Sequence, residues 1–439
     1  MNTNVIGKAY KFNIVFRDVT LTAHAGIVLM RDFIGKLGVP ELIDANVFVK
    51  ARERGYPESE NVLSLCWNAI LGGDCLLDLN VLRGDPGLPG LFGVKQILAP
   101  TTAGEFLGKF TIGDLSDLQR ALRQISRQVR PLQKGTRLTI DLDASLYEQC
   151  STRKEGSRMN YKGQTGYYPI FAFWAEEGEM LKAHLLAGNK HASPKALWFF
   201  KQAIASAPEG MDLALRADSE FYIWDLIEFC ERYEPRPNEP RPILYAITAS
   251  QTEWLMKEVA ALPEKSWGRY GNGQQVAELW YGPDGRPPHR YVAKRTKVKD
   301  KKGLESWRYH IVITNDHRRT PKQLMAWALK RCGVENRIKE HKNDFGFEKM
   351  PSKKYHANWA WLLISQLAWN LFNWFKRVCL PETCQRMTLG TLRHRLLNVA
   401  AKIVHRSRQL FLVLSEENFY QDWWSFALKQ LAQLTPISP

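Results

Sequence analysis

The sequence predicts a mixed α/β protein, and three observations carry that reading. Apolar residues recur at helical spacing through the first 130 residues. Short alternating or wholly apolar runs take over between 137 and 248, and helical spacing returns from 321 onward. At 439 residues the chain exceeds one ordinary domain, so two or three are expected. Hydrophobic residues make up 45% and charged residues 24%, enough for a core and unlike a disordered chain.

In chain order, residues 1–130 read as a helical region, with periodic stretches at Leu21 to Leu37, Asn61 to Leu71 and Asp114 to Val129. Pro100-Thr-Thr ahead of Phe106, Leu107 and Phe110 reads as a capped helix start. In residues 131–250 a strand is expected at 137–144. A hairpin follows from Gly166 to Ala175 and Met180 to Leu186, turning at 176–179. Then come a helix from Ser193 to Ala207, a strand at 212–218, a helix from Phe221 to Tyr233 and a short strand from Ile243 to Thr248. Residues 251–318 hold aromatic and β-branched runs with a Pro-Asp-Gly turn at 283–285. They read as a β-rich insertion, since the stretch is too long for one loop. A long helix from about Pro321 to Asn343 opens the segment 319–385, a further helix is expected at 356–378, and more helices fill 386–439.

The net charge of +16 points to a polyanionic partner, nucleic acid first and an anionic membrane surface second. The first residues hold no apolar run of the kind that marks a secretory signal. The most apolar stretch, Trp359 to Phe375, carries Gln366, Asn370 and Asn373 at i, i+4, i+7. That stripe suits a buried amphipathic helix better than a membrane span. Seven scattered cysteines without a C-x-x-C pair fit a reducing cytoplasm and argue against a zinc site.

The chemistry gathers on three acids. Arg137-Leu-Thr-Ile-Asp141-Leu-Asp143-Ala-Ser145 and Leu213-Ala-Leu-Arg-Ala-Asp218-Ser219 are strands that end in carboxylates. Arg331-Cys-Gly-Val-Glu335-Asn-Arg-Ile-Lys-Glu-His-Lys342 reads as a basic helix. At about 100° per residue, positions 331, 335, 338, 339 and 342 share one face. Carboxylates beside cations suit metal-assisted phosphodiester chemistry, the acids holding divalent ions and the cations holding phosphates. The plain alternatives are solvated carboxylates at a strand end, a helix N-cap at Asp218 and a solvated basic face on the helix.

Asp143, Asp218 and Glu335, in that order on strand, strand and helix, resemble the acidic triad of the DDE transposases. One branch of insertion-sequence transposases carries Tyr, two residues, Arg, three residues, Glu, six residues, Lys. Arg331, Glu335 and Lys342 match its last three positions, and Ala328, beside Trp327, stands at the Tyr position. Glu335-Asn-Arg-Ile-Lys-Glu-His-Lys-Asn-Asp-Phe-Gly346, Gly166-Tyr-Tyr-Pro169 and Leu82-Arg-Gly-Asp85 look like the group of that branch numbered thirteen-eighty.

The resemblance spans roughly residues 20 to 380. It implies a ribonuclease-H-like catalytic core interrupted by the β-rich insertion, with helical N- and C-terminal regions, the former binding DNA. It further implies two Mg²⁺ ions (with Mn²⁺ as a substitute) held by Asp143, Asp218 and Glu335, and phosphate contacts from Arg331, Lys339 and Lys342. In this branch the first Asp is followed by one residue and then Thr or Ser. Asp143 fits that pattern, and Asp141 becomes a neighbouring acid that supports it. The implied partners are double-stranded DNA, as element ends and target, and a second copy of the chain. The implied activity is that of a cytoplasmic bacterial insertion-sequence transposase that cuts the terminal inverted repeats and joins their 3′ ends to target DNA. The alternatives are a metal-dependent nuclease that cuts without joining and a DNA-binding protein whose catalysis has decayed. Among fifteen tryptophans, Trp254, Trp267, Trp280 and Trp307 are candidates to stack an unpaired base. Lys294, Arg295, Lys297, Lys299, Lys301 and Lys302 form a basic run suited to DNA backbone.

Overall fold

A nine-stranded mixed sheet runs through the molecule, known here from a computed structural model. The structure describes residues 5–9, 12–15, 20–50, 55–132, 137–207, 210–235, 241–299, 303–407 and 409–436. In chain order the strands are β1 (Arg137–Ala144), β2 (Ile170–Trp174), β3 (Met180–His184), β4 (Asp212–Ala217), β5 (Leu244–Thr248), β6 (Gly268–Gly271), β7 (Gln274–Tyr281), β8 (His289–Lys299) and β9 (Glu305–Thr314). Across the sheet they lie in the order β6-β7-β8-β9-β5-β4-β1-β2-β3. β4 runs parallel to both β1 and β5, and all other neighbours are antiparallel.

The expected strands at 137–144, 166–186, 212–218 and 243–248 are all present. Residues 251–318 differ from the expectation in one respect. They contribute a helix (Glu253–Ala260) and four strands, yet β9 pairs with β5, so these strands lengthen the central sheet instead of forming one of their own. Strand periodicity reveals a strand's faces but not its edge partner, so the sequence was silent on this.

The helices, labelled as they bear on the site, are α1 (Ile112–Val129), α2 (Ala196–Ile204), α3 (Trp224–Glu231), α4 (Pro321–Leu329), α5 (Cys332–Asn343) and α6 (Tyr355–Cys379). Local chemistry fixes their starts. Thr111 and Asp114 form a capping box for α1, and Thr320 and Gln323 form one for α4, where Pro321 takes the first helical position. The long helix expected from Pro321 to Asn343 is broken at Lys330 and Arg331. There the chain tightens into bonds from Arg331 N to Ala328 O and from Gly333 N to Lys330 O. Gly333 just beyond the break is a poor helix former, which favours this point.

Alternation along β1 separates two layers. Leu138, Ile140 and Leu142 pack with Phe199 and Phe200 of α2 and Leu226 and Ile227 of α3. Asp141 and Asp143 take the other face, opposite Phe173 and Phe171 of β2, which belong to the core shared with α5 and α6. The polar stripe on α6 covers the β3 edge. Gln366 Oε1 accepts from Ala183 N (3.1 Å), Asn370 Oδ1 accepts from Met180 N (2.8 Å), and both amides donate to Met180 O. Side-chain amides here replace a neighbouring strand and close an edge that would otherwise invite pairing. No single helix among the described residues is long and apolar enough to cross a membrane.

The two terminal regions are not purely helical. Val5–Ala9 and Phe12–Val15 form a hairpin, and Leu21–Thr22 pairs with Ala401–Arg406, which also pairs with Gln409–Val413. Short apolar runs such as Leu410 to Val413 cannot be told from helix by period alone. Asp85 of the Leu82-Arg-Gly-Asp85 stretch ties this junction. Its carboxylate accepts from Thr22 Oγ1 and Ala23 N on one oxygen and from Gly87 N and Leu88 N on the other.

Candidate active site

The parallel register of β1 and β4 sets the site. Asp141 lies opposite Arg216 and Leu142 opposite Ala217, so the next step brings Asp143 and Asp218 together at the C-terminal ends of both strands. Asp141 is 1% exposed and held in a two-point pair, Arg216 Nε to Oδ1 at 2.7 Å and Nη2 to Oδ2 at 2.8 Å. Arg216 Nη1 also donates to Trp327 O at the end of α4 (3.0 Å), and Arg337 of α5 lies 3.9 Å from Asp141. With both oxygens engaged by guanidinium, Asp141 supports the strand end. Asp143 remains the carboxylate that opens toward Asp218.

Arg331, at the break between α4 and α5, joins the remaining acids. Its Nη2 lies 3.8 Å from Asp218 Oδ2 and its Nη1 lies 3.1 Å from Glu335 Oε1. Asp218 uses its other oxygen to accept from Glu220 N at 3.0 Å, so it caps the turn after β4 and also faces the guanidinium. Burial pushes the Asp143 carboxyl up to about 7. Arg331 opposes that shift, and the nearby Asp218 and Glu335 carboxylates add to it. Asp218 is also raised, by burial first, with Arg331 opposing and Glu220 and Glu335 reinforcing. Three acids therefore crowd one guanidinium. Separately, Asp74, Cys75 and Asp78 have potential ligand atoms within 4.8 Å of one another. There Asp78 Oδ2 accepts from Asp74 N and Cys75 N and Lys349 pairs with Asp74, as in an ordinary turn.

The family model described as "Transposase DDE domain group 1" matches residues 5–436. The chain belongs to this family of DDE-domain transposases. Among solved structures, a cryo-EM structure of the piggyBac transposase synaptic complex with hairpin DNA is similar at 12% identity and TM-score 0.46, covering 84% of this chain and 79% of that one. No curated protein matches.

In this transposase the other residues singled out by sequence are dispersed around the acids. Ile338 is buried and packs into the core, so the expected five-residue face on α5 is narrower than its spacing suggests. Glu335 and Lys339 are exposed. Lys342 donates to Leu146 O, lies 3.6 Å from Glu348 and sits over the Tyr147 ring, where it steadies the segment after Asp143. Glu340 accepts from Leu389 N at 2.8 Å, while Arg337 donates to Ala175 O. His341 is fully buried, 2.6 Å from Tyr147 Oη, and burial keeps it neutral by bringing it down to about 3.

Three contributors were not legible in the sequence. Arg216 holds Asp141 and the end of α4, and the alternation of β4 was the only hint that it shares a face with Asp218. His310 of β9 lies near Arg331 and Lys294, and burial with those cations brings it down to about 4. This places the added strands beside the acids. Tyr168 donates to Glu220 Oε2 at 2.7 Å, next to Asp218 and Asp143. Its neighbour Gly166 packs where a Cβ would stand 2.2 Å from Tyr147 O.

Of the tryptophan candidates, Trp267 and Trp307 clasp Arg295 at 4.2 and 4.3 Å, and Trp280 stacks on His317. Trp254 and Trp280 keep exposed rings. Lys297 and Lys299 both reach Glu305, while Lys301 and Lys302 lie outside the described residues.

Proposed function

We propose that this chain is the transposase of a bacterial insertion sequence, of the branch with the Tyr-Arg-Glu-Lys signature, working in the cytoplasm as a dimer on DNA. It cuts the terminal inverted repeats of its element and joins the 3′ ends to target DNA. The observation that carries this reading is the meeting of Asp143, Asp218 and Glu335 around Arg331 at the ends of two parallel strands. The strand order β3-β2-β1-β4-β5, with β1, β4 and β5 parallel, supports a ribonuclease-H-like core. Residues 251–318 supply an extension of that core between the second Asp and Glu335, and residues 1–130 supply the DNA-binding region.

The residues fit divalent cations. Hard ions of the Mg²⁺ or Mn²⁺ type take carboxylate oxygens, and crowded acids that repel their own ionised forms gain from a cation between them. Asp143, Asp218 and Glu335 would hold two such ions, which supply activation of the attacking hydroxyl and charge neutralisation on the leaving oxygen. The chain's own groups do the remaining work. Arg331 contacts a phosphate beside the cut, and Lys339, about two helical turns farther along, contacts the strand beyond it. Lys342 adds a third cation near the backbone from its place beside Leu146. Asp141 and Arg216 hold β1 and β4 in the register that sets the acids together.

The test is incubation of the protein with duplex DNA carrying the element's ends, Mg²⁺ and a target duplex, with the cut and joined strands mapped. Cuts at the repeat termini followed by 3′-joined product are expected. Cutting without joining would leave a nuclease, and binding without cutting would leave a decayed enzyme.

A further inference from the structure

Lys182 on β3 is 5% exposed and meets no carboxylate among the described residues. Its Nζ donates to Gln119 Oε1 of α1 at 3.0 Å and lies 5.8 Å from the Trp198 ring of α2. Another cation, Arg123 of α1, acts on it, and burial together with Arg123 brings Lys182 down to about 8. Arg123 itself lies against Arg127 and Arg120, of which only Arg120 is answered, by Asp117 at 2.6 Å. Lys195 also sits 5.2 Å over the Trp198 ring. His184, wedged between Trp198 and Trp359, keeps a buried Nδ1 without a partner.

Among the described residues none of Arg123, Arg127, Lys182 and Lys195 forms an ion pair, although the chain has 45 acidic residues to place. A buried ammonium without a counter-charge is costly. With the half-buried Arg123 and the exposed Arg127 and Lys195 grouped around that ammonium, the cluster attracts an anion from outside. The position matters as well. Asp143 is in register with Phe171, and Phe171 with Ala183, so Lys182 and His184, one residue to either side of Ala183, turn to the opposite face of the sheet, the one that α2 covers.

We propose that Arg123, Arg127, Lys182 and Lys195 form a phosphate-binding shelf for the backbone of duplex DNA, built from α1, β3 and the turn that leads into α2, next to the Trp198 ring. The cations stand as separate points on three elements, the arrangement that follows successive phosphates along a strand. The shelf rests on the reading of the chain as a transposase and gives the DNA a second support at the β3 edge, away from the acids.

The experiment titrates full-length protein against a fluorescein-labelled duplex carrying the element's end, without divalent metal, over a potassium chloride series. Wild type is compared with an Arg127→Gln/Lys195→Gln double variant, with Lys182→Met and, as a control, with Arg232→Gln on exposed α3 surface. Every phosphate that the protein no longer neutralises flattens the slope of log K against log salt by roughly 0.9. The double variant is therefore expected to flatten it by about 1.8 and the control not at all. Lys182→Met is expected to flatten it by about 0.9 while melting at or above the wild-type temperature, which a merely structural lysine would not do. In the wild type, mass spectrometry after acetic anhydride treatment is expected to show Lys195 protected by the duplex. An unchanged slope in the double variant, or equal acetylation of Lys195 with and without DNA, overturns the shelf alone. Wild-type protein that does not bind the duplex overturns both the shelf and the transposase reading. Salt-dependent binding of polyglutamate that exceeds binding of DNA and disappears in the double variant assigns the shelf to an acidic protein and overturns it as a DNA site.

Discussion

Arg216 and Asp141 face each other across parallel strands and share two hydrogen bonds, at 2.7 and 2.8 Å, with side chains 5% and 1% exposed. The same guanidinium reaches Trp327 O, so one residue links both acid-bearing strands to the helix that leads toward Glu335. Removing one partner leaves an unpaired buried charge. Arg216→Met is expected to lose about 3–5 kcal/mol in urea unfolding, and Asp141→Leu added to it to restore most of the loss. A double variant as unstable as the single would show that the pair is not what Arg216 contributes.

Asp143→Asn, Asp218→Asn and Glu335→Gln are each expected to abolish strand cleavage while leaving binding to end DNA near the wild-type level. A carboxylate near phosphate opposes DNA, so its loss does not weaken the complex. Gel mapping of cut strands decides it. Strong cleavage by Asp143→Asn beside a dead but folded Asp141→Asn would move the first catalytic acid to Asp141.

The Asp143 carboxyl also makes metal-free stability depend on pH. Its value rises from an ordinary 3.8 to about 7 on folding. Between those values the folded state binds the extra proton, so this group's contribution falls as pH rises from about 4 to about 7, by at most on the order of 4 kcal/mol. Asp143→Asn is accordingly expected to melt higher than wild type at pH 8 in chelator and to lose that advantage near pH 4. Equal melting temperatures at pH 8 would contradict the buried, crowded carboxylate.

Arg331 and Lys342 are expected to behave differently although both match the sequence signature. Arg331→Ala should slow cleavage and flatten the salt dependence of end binding by roughly the share of one phosphate. Lys342→Ala should do the same and in addition lower the melting temperature, because Lys342 also holds Leu146 O and Glu348. Wild-type slope and rate in both variants would reduce the signature to a solvated helix face.

Gln366→Leu and Asn370→Leu each leave backbone groups of β3 buried without partners, Ala183 N in one case and Met180 N in the other. Each is expected to cost about 1–3 kcal/mol, read by urea unfolding. A neutral effect would mean that another group closes the edge.

The order of the central elements was legible in the chain, and so was the placing of three acids at two strand ends and on a helix. Asp143 and Asp218 end strands because apolar alternation stops there, and Glu335 lies one helical turn from Arg331 because the intervening residues wind that way. These are local facts, set by residues close in sequence. Pairing was not local. That β9 joins β5, that Leu21–Thr22 meets Ala401–Arg406 and that Arg216 falls opposite Asp141 depend on which edges come together, and backbone hydrogen bonds carry no side-chain signature of their partner. The polar stripe on α6 shows both sides of this. Its spacing announced a buried amphipathic helix, but only packing against β3 revealed that the amides stand in for a missing strand. Sequence fixes what each residue offers, whereas close packing of distant segments decides which offers are taken up, because burial leaves each polar group the choice of a partner or a penalty.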